Sequence, residues 1–158
     1  MSAVPPGEQP AFQIEKIYVK DLSLESPNAP QVFLQPVQPQ LEVQLASDAS
    51  AVAENYYEVT VTATVTARAG ERTLFLAEAV QAGIFSLRNF PKDQLDPLLG
   101  IACPNILYPY LRETLSDVVA RAGFPPVMLS PVSFEAIYMQ RMQQQAQQGE
   151  APKIEVAR

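Results

Sequence analysis

The sequence predicts an α+β fold: a four-stranded antiparallel sheet followed by two C-terminal helices. Three observations carry this. Residues 57–67 alternate without a break, with Tyr57, Val59, Val61, Ala63, Val65 and Ala67 facing one way and Glu58, Thr60, Thr62, Thr64 and Thr66 the other. Two-residue patterns of this kind all precede the helical patterns, which is the segregated order of an α+β chain rather than an alternating one. The stretch Gly100–Gly123 reads as one long helix with signals at both ends, and from Pro104 to Ala122 it is about 28 Å at 1.5 Å per residue. Pro104 suits its first turn, where a missing N–H costs nothing. Gly123 suits the left-handed position after its end, and Pro125 and Pro126 bar continuation.

The first strand spans Phe12–Leu24. Phe12 and Ile14 alternate, the phase slips, Ile17 and Val19 alternate, it slips again, and Leu22 and Leu24 follow. Two slips in one run predict a bulge or bend. Asp21 and Glu25 are an even number of residues apart and share a face of a regular strand. Ser26–Gln40 holds Pro27, Pro30, Pro36 and Pro39, too many for a ladder strand or a helix. It reads as an extended connection whose Val32, Phe33, Leu34 and Val37 pack on something or are offered to something. Leu41–Leu45 alternates as a half-buried strand, Ala46–Asn55 reads as a loop, and Ala69-Gly70-Glu71 turns the third strand into the fourth.

The fourth strand, Thr73–Ile84, is apolar on both sides. Phe75, Ala77 and Ala79 lie on one, and Leu74, Leu76, Val80 and Ala82 on the other, with Glu78 among them. One wet face is usual in a small antiparallel sheet, so two apolar faces mean deep burial or contact with another molecule. Pro91–Leu99 is a short polar helix or turn. On the long helix, Leu107, Tyr108, Tyr110, Leu111, Leu115, Val118, Val119 and Ala122 fall on one arc. It covers roughly half the cylinder, wider than the stripe of an ordinary surface helix. Pro109 interrupts this helix and should bend it. Ser133 suits the N-cap of a last helix on which Phe134, Ile137, Tyr138 and Met142 share a face. The domain is expected over residues 12–148, with a disordered tail at 1–11 and a flexible one at 149–158.

Composition narrows the chemistry. The chain has 158 residues, 47% hydrophobic and 18% charged, with 17 acidic and 11 basic side chains and a net charge of −6. That balance is wrong for a nucleic-acid binder, which clusters Lys and Arg. There is no histidine, which removes Ser–His–Asp and Cys–His catalysis and any His-ligated metal. The single Cys103 makes no internal disulfide and fits a reducing compartment. It is either a thiol activated at a helix entry or a small buried residue. No apolar run is long enough for a spanning helix and no secretory signal opens the chain, so cytoplasmic residence is expected. Neither a catalytic constellation, nor a cofactor loop, nor a metal set stands out. Phe33, Val37, Val43, Leu45, Tyr138 and Met142 either line one apolar groove or close the core; Met and aromatic side chains suit a surface that accepts many apolar sequences.

Gly100-Ile-Ala-Cys103-Pro104-Asn105-Ile-Leu-Tyr108-Pro109-Tyr110-Leu-Arg112-Glu113 resembles the signature of SecB, the bacterial protein-export chaperone family. The likeness extends to Phe12-Gln13-Ile14, Tyr18-x-Lys20-Asp21, Glu25-Ser-Pro27-Asn28-Ala29-Pro30-x-Val32-Phe33, Glu78-x-x-x-x-Gly83-Ile84-Phe85 and Pro131-Val132-Ser-Phe134. It covers roughly Phe12–Gln145. The resemblance implies a cytoplasmic homotetramer, a dimer of dimers, without enzymatic activity, cofactor or membrane insertion. Such a protein holds unfolded precursors in apolar grooves and delivers them to the SecA motor. By position, Asp21, Glu25, Leu76 and Glu78 match the family's SecA-docking face. Ala77, Ala79 and Gln81 match its tetramer contact, and Phe33, Val43, Leu45, Tyr138 and Met142 its client groove. Val37 stands where the family's crossover loop usually carries tryptophan, and the tail ends Lys153-Ile-Glu-Val-Ala-Arg158 where the family's is often acidic. A SecB-like chaperone dedicated to one antitoxin, and a small-molecule enzyme of hot-dog-like architecture, are the alternatives.

Overall fold

The computed structural model describes residues 8–147. Four antiparallel strands, β1 (Ala11–Glu25), β2 (Gln40–Ala53), β3 (Tyr56–Ala69) and β4 (Arg72–Arg88), form one sheet in the order β1-β4-β3-β2. Three helices follow: α1 (Lys92–Pro97), α2 (Cys103–Arg121) and α3 (Phe134–Gln147). Of the tails expected at residues 1–11 and 149–158, residues 1–7 and 149–158 lie outside the described residues; Ala11, assigned to the N-terminal tail, is the first residue of β1.

β1 shows what its phase slips are for. Its register against β4 shifts between Ile14 and Lys16 and again between Val19 and Asp21. A slip of one residue turns every later side chain to the opposite face, and here each bulge restores the lost parity. Phe12, Ile14, Ile17, Val19, Leu22 and Leu24 therefore pair with Leu87, Phe85, Gly83, Gln81, Ala79 and Ala77, all on one face of β4. Fifteen residues of β1 carry their whole apolar set on one side only because of those two bulges.

That side is the core. On it Val59, Val61, Ala63, Val65 and Ala67 of β3 lie beside Phe75, Ala77 and Ala79 of β4, all buried. Helix α2 covers them with Leu107, Leu111, Leu115 and Val119, none of which retains exposed surface. The opposite face carries the threonines of β3 and is half-wet.

β2 is longer than its sequence suggests. The expected loop from Ala46 onward continues as strand to Ala53, pairing Ala46–Ala51 with Thr62–Tyr57. Alanine, serine and aspartate have weak strand propensity, but an adjacent strand with unpaired backbone overrides it. The turn is made at Glu54-Asn55, with Asn55 left-handed at φ 65°. β4 likewise runs on to Arg88, four residues past the expected end at Ile84.

The long helix also starts differently. Leu98–Ala102 is a turn of π-helix joining α1 to α2, so Gly100 lies inside a bulge rather than at a helix start. A Cβ at Gly100 would stand 2.7 Å from the Tyr138 ring, and glycine there lets α3 dock against the backbone. Pro104 occupies the first turn of α2 and Gly123 its left-handed end at φ 94°, as expected. Phe124, Val127 and Leu129 then bury themselves as the chain returns along α2. The Tyr108 hydroxyl donates to the Ser130 carbonyl at 2.5 Å, and the Phe134 ring meets Tyr108 edge-on at 5.6 Å. Ser133 caps α3, its hydroxyl accepting from the Ala136 N–H at 3.1 Å.

Candidate functional site

Two surfaces on opposite sides of the sheet hold the residues singled out by sequence. The first is the outer face, away from α2. Pairing Asp21 with Val80, Ser23 with Glu78 and Glu25 with Leu76 sets Asp21, Glu25, Leu76 and Glu78 on that one face of two adjacent strands. The patch is about 13 Å long and one strand spacing, about 4.8 Å, wide. Leu76 is 40% exposed there, an apolar residue framed by carboxylates. Glu78 accepts a hydrogen bond from Thr64 on β3 at 2.9 Å.

A second cluster on the same face was not read from sequence. Glu58 on β3 takes Lys20 Nζ at 2.7 Å and the Tyr18 hydroxyl, both from β1. Ala82, between Tyr18 and Thr60 in the register, is fully buried, and its small side chain leaves room for this bridge across β4. Burial alone would raise the Glu58 carboxyl, but the hydrogen bonds from Lys20 and Tyr18 win and hold it below its ordinary value. The same contact, with burial, pushes Tyr18 up to about 12. The signal available was parity: Glu58 belongs to the polar set of β3, and Tyr18 belongs to the polar set of β1 once its first slip is counted.

The second surface lies on the helix-bearing side. Leu41, Val43 and Leu45 of edge strand β2 share that side, and Leu41 and Val43 are about half exposed. Leu41 was missed as a surface residue although it continues the same alternation. Phe33 packs on Gly123 and on the Phe124 ring, 5.0 Å between centroids, yet stays half exposed. In the same connection Val37 is 40% exposed and Leu34 more so. Tyr138 lies against Gly100 at the other end of α2, with Met142 one turn further along α3; both are half-buried. The six expected groove residues therefore do not converge. They are strung between the two ends of α2, about 28 Å apart at 1.5 Å per residue.

Ala77 and Ala79 have no exposed surface within a single chain, and Gln81 retains 3%. Within that chain α2 fills the close approach that the two small residues permit. Gln81 instead joins three elements: its side-chain amide donates to the Tyr18 carbonyl at 3.2 Å and accepts from Thr114 of α2 at 3.1 Å. Beside it, Ile17, Val19, Pro109 and Tyr110 line a cleft of about 500 Å³ between β1 and α2. Tyr110, half exposed there, is the part of the wide apolar arc that this chain does not cover.

Cys103 resolves as the buried option. It has no exposed surface, and burial pushes its thiol up to about 12, far from a reactive thiolate. Among the described residues, no helix is long and apolar enough to cross a membrane.

Comparison with known proteins shows the family. The family model described as preprotein translocase subunit SecB matches residues 6–145. The protein-export protein SecB of Chromobacterium violaceum is 62% identical over 143 residues, covering 90% of this chain and 95% of that one. The SecB of Dechloromonas aromatica is 59% identical over 140 residues, covering 89% and 92%. Among solved structures, a SecB-like chaperone of Mycobacterium tuberculosis, in complex with a ChAD peptide from the HigA1 antitoxin, has a TM-score of 0.59 at 22% identity. It covers 77% of this chain and 91% of its own, and shows the shared fold. With the family model spanning the whole sheet, α1, α2 and all but the last two residues of α3, and relatives of that identity named for protein export, the chain belongs to the SecB family of protein-export chaperones.

Proposed function

We propose that this export chaperone works as a homotetramer in the cytoplasm, without catalysis or cofactor, holding unfolded precursors along the β2–α3 surface and docking SecA on the outer face of β1 and β4. The observation that carries the client reading is the string of exposed apolar residues beside an edge strand. Phe33, Val37, Val43, Leu45, Tyr138 and Met142, exposed or half-buried, are spread along the length of α2, about 28 Å, which an extended chain covers in roughly nine residues at 3.3 Å each. The open edge of β2 adds backbone groups for strand-like pairing. Each buried CH₂ contributes about 0.8 kcal/mol, so a few anchors give reversible binding, and several grooves per assembly raise avidity. Folded proteins hide both anchors and backbone and are passed over.

The assembly reading rests on β1. Its outer edge is unpaired, and Ile14, Val19 and Leu22 are each more than 40% exposed beside the half-exposed Tyr110. A second copy that covers them removes a hazardous edge. Ala77, Ala79 and Gln81 then act on the assembly only indirectly, by seating α2.

The docking reading rests on Asp21, Glu25 and Glu78 surrounding Leu76, a complement to a basic patch with an apolar contact. Asp21→Lys or Glu78→Lys is expected to abolish SecA binding and leave precursor binding unchanged. Equal loss of both would remove the docking assignment.

A further inference from the structure

We infer that Thr64 is a positioning residue for SecA docking: its hydroxyl fixes the Glu78 carboxylate in the direction from which a cation of the partner takes it. The inference rests on the docking reading above. Two outer-face carboxylates of this sheet are held in opposite ways. Glu58 is gripped by the ammonium of Lys20 and by the Tyr18 hydroxyl, so its charge is compensated within the chain. Glu78 has no cation partner among the described residues; it is held by a neutral hydroxyl, Thr64 Oγ1 to Glu78 Oε2 at 2.9 Å. A neutral donor orients a carboxylate without cancelling its charge, and it leaves the second oxygen to an incoming donor.

The backbone makes this pair by construction. Thr64 and Glu78 are direct partners in the β3–β4 register, with Thr66 opposite Leu76 one step along. Directly opposed side chains interact most strongly across a sheet. A glutamate with free rotation loses side-chain entropy when it is captured. Threonine, restricted at χ1 by its branched Cβ, places the hydroxyl beforehand and removes part of that loss from docking. The role lies one strand inward from the residues that would touch SecA, which is why motif matching does not reach it.

The test is a double-mutant cycle on the full tetramer, with SecA affinity measured by calorimetry. Thr64→Val keeps shape and strand preference and removes the donor; Thr64→Ser keeps the donor. Expected are a loss of about tenfold for Thr64→Val, near-recovery for Thr64→Ser, and no further loss when Thr64→Val is added to Glu78→Gln. Precursor affinity and urea midpoint, which a merely structural threonine would move, should stay at wild-type values. If Glu78→Gln weakens SecA binding and Thr64→Val does not, or if the two losses add, the positioning role is overturned while the docking face stands. If Glu78→Gln itself binds SecA normally, the docking reading fails and the inference with it.

Discussion

Glu58 is charged at neutral pH because two partners outweigh its burial. Its folded pKa lies below the ordinary 4.5, so its contribution to stability is complete above that value and is lost as pH falls through the folded pKa. Urea midpoints measured at about pH 7 and about pH 3 should therefore differ less in Glu58→Gln than in the wild type. Gly100 carries a different constraint. A methyl group there would press on the Tyr138 ring at 2.7 Å, and Gly100→Ala should destabilise the chain by about 1–3 kcal/mol in urea unfolding. A double substitution, Gly100→Ala with Tyr138→Ala, should not add the two losses, since the clash is gone. Neither residue was legible for these roles in the sequence. Gly100 looked like the head of a helix because a π-turn has no composition signal, and the Tyr18–Glu58–Lys20 bridge spans positions about forty apart. Asp21 and Glu25 were legible, because an even spacing on one strand fixes a shared face without any knowledge of the partner strand.

β1 was the most readable element, since its bulges are written in the phase of its apolar residues. Deleting Glu15, the extra residue at the first register shift, leaves Ile14 and Ile17 two apart and still on one face. Deleting Tyr18, inside the regular run, sets Ile17 and Val19 on opposite faces and turns half of the strand's apolar set outward. A loss of about 3 kcal/mol or more in urea unfolding is expected for the Tyr18 deletion, against little change for a one-residue insertion in the Gly70-Glu71 turn. The second half of β2 was unreadable for the opposite reason. Ala46–Ala53 carries no pattern of its own, and only pairing with β3 makes it a strand. α2 was legible at its far end through Gly123, and its buried stripe followed from periodicity. The tie from Thr114 through Gln81 to the Tyr18 carbonyl was not, because it joins a helix, a central strand and an edge strand. Gln81→Ala leaves the Thr114 hydroxyl and that carbonyl without this partner, and should destabilise by about 1–3 kcal/mol in urea unfolding.

At the scale of the whole molecule, one sheet with one helix layer leaves, among the described residues, two unpaired strand edges and different surfaces on each side. The edge at β1 carries Ile14, Val19 and Leu22 exposed beside α2, and the edge at β2 carries Leu41 and Val43. The strand order that separates these edges was not legible in the sequence. β1 pairs with β4, 51 to 77 positions away, and pattern alone does not choose between that pairing and a simple meander. Within a single chain Ala77 and Ala79 lie under α2. Replacing Tyr138 and Met142 with Asp should weaken precursor binding at least about tenfold, measured by fluorescence titration, and leave the assembly intact, since both lie on the β2–α3 side. Unchanged affinity would place the groove elsewhere.

The most direct measurement is the solution mass of the protein, by light scattering, alone and with an unfolded secretory precursor. The account predicts a species near four chains that gains one precursor and ignores the same precursor once folded. A monomer that binds neither form would contradict it, leaving the exposed residues of β1 and β2 as ordinary surface.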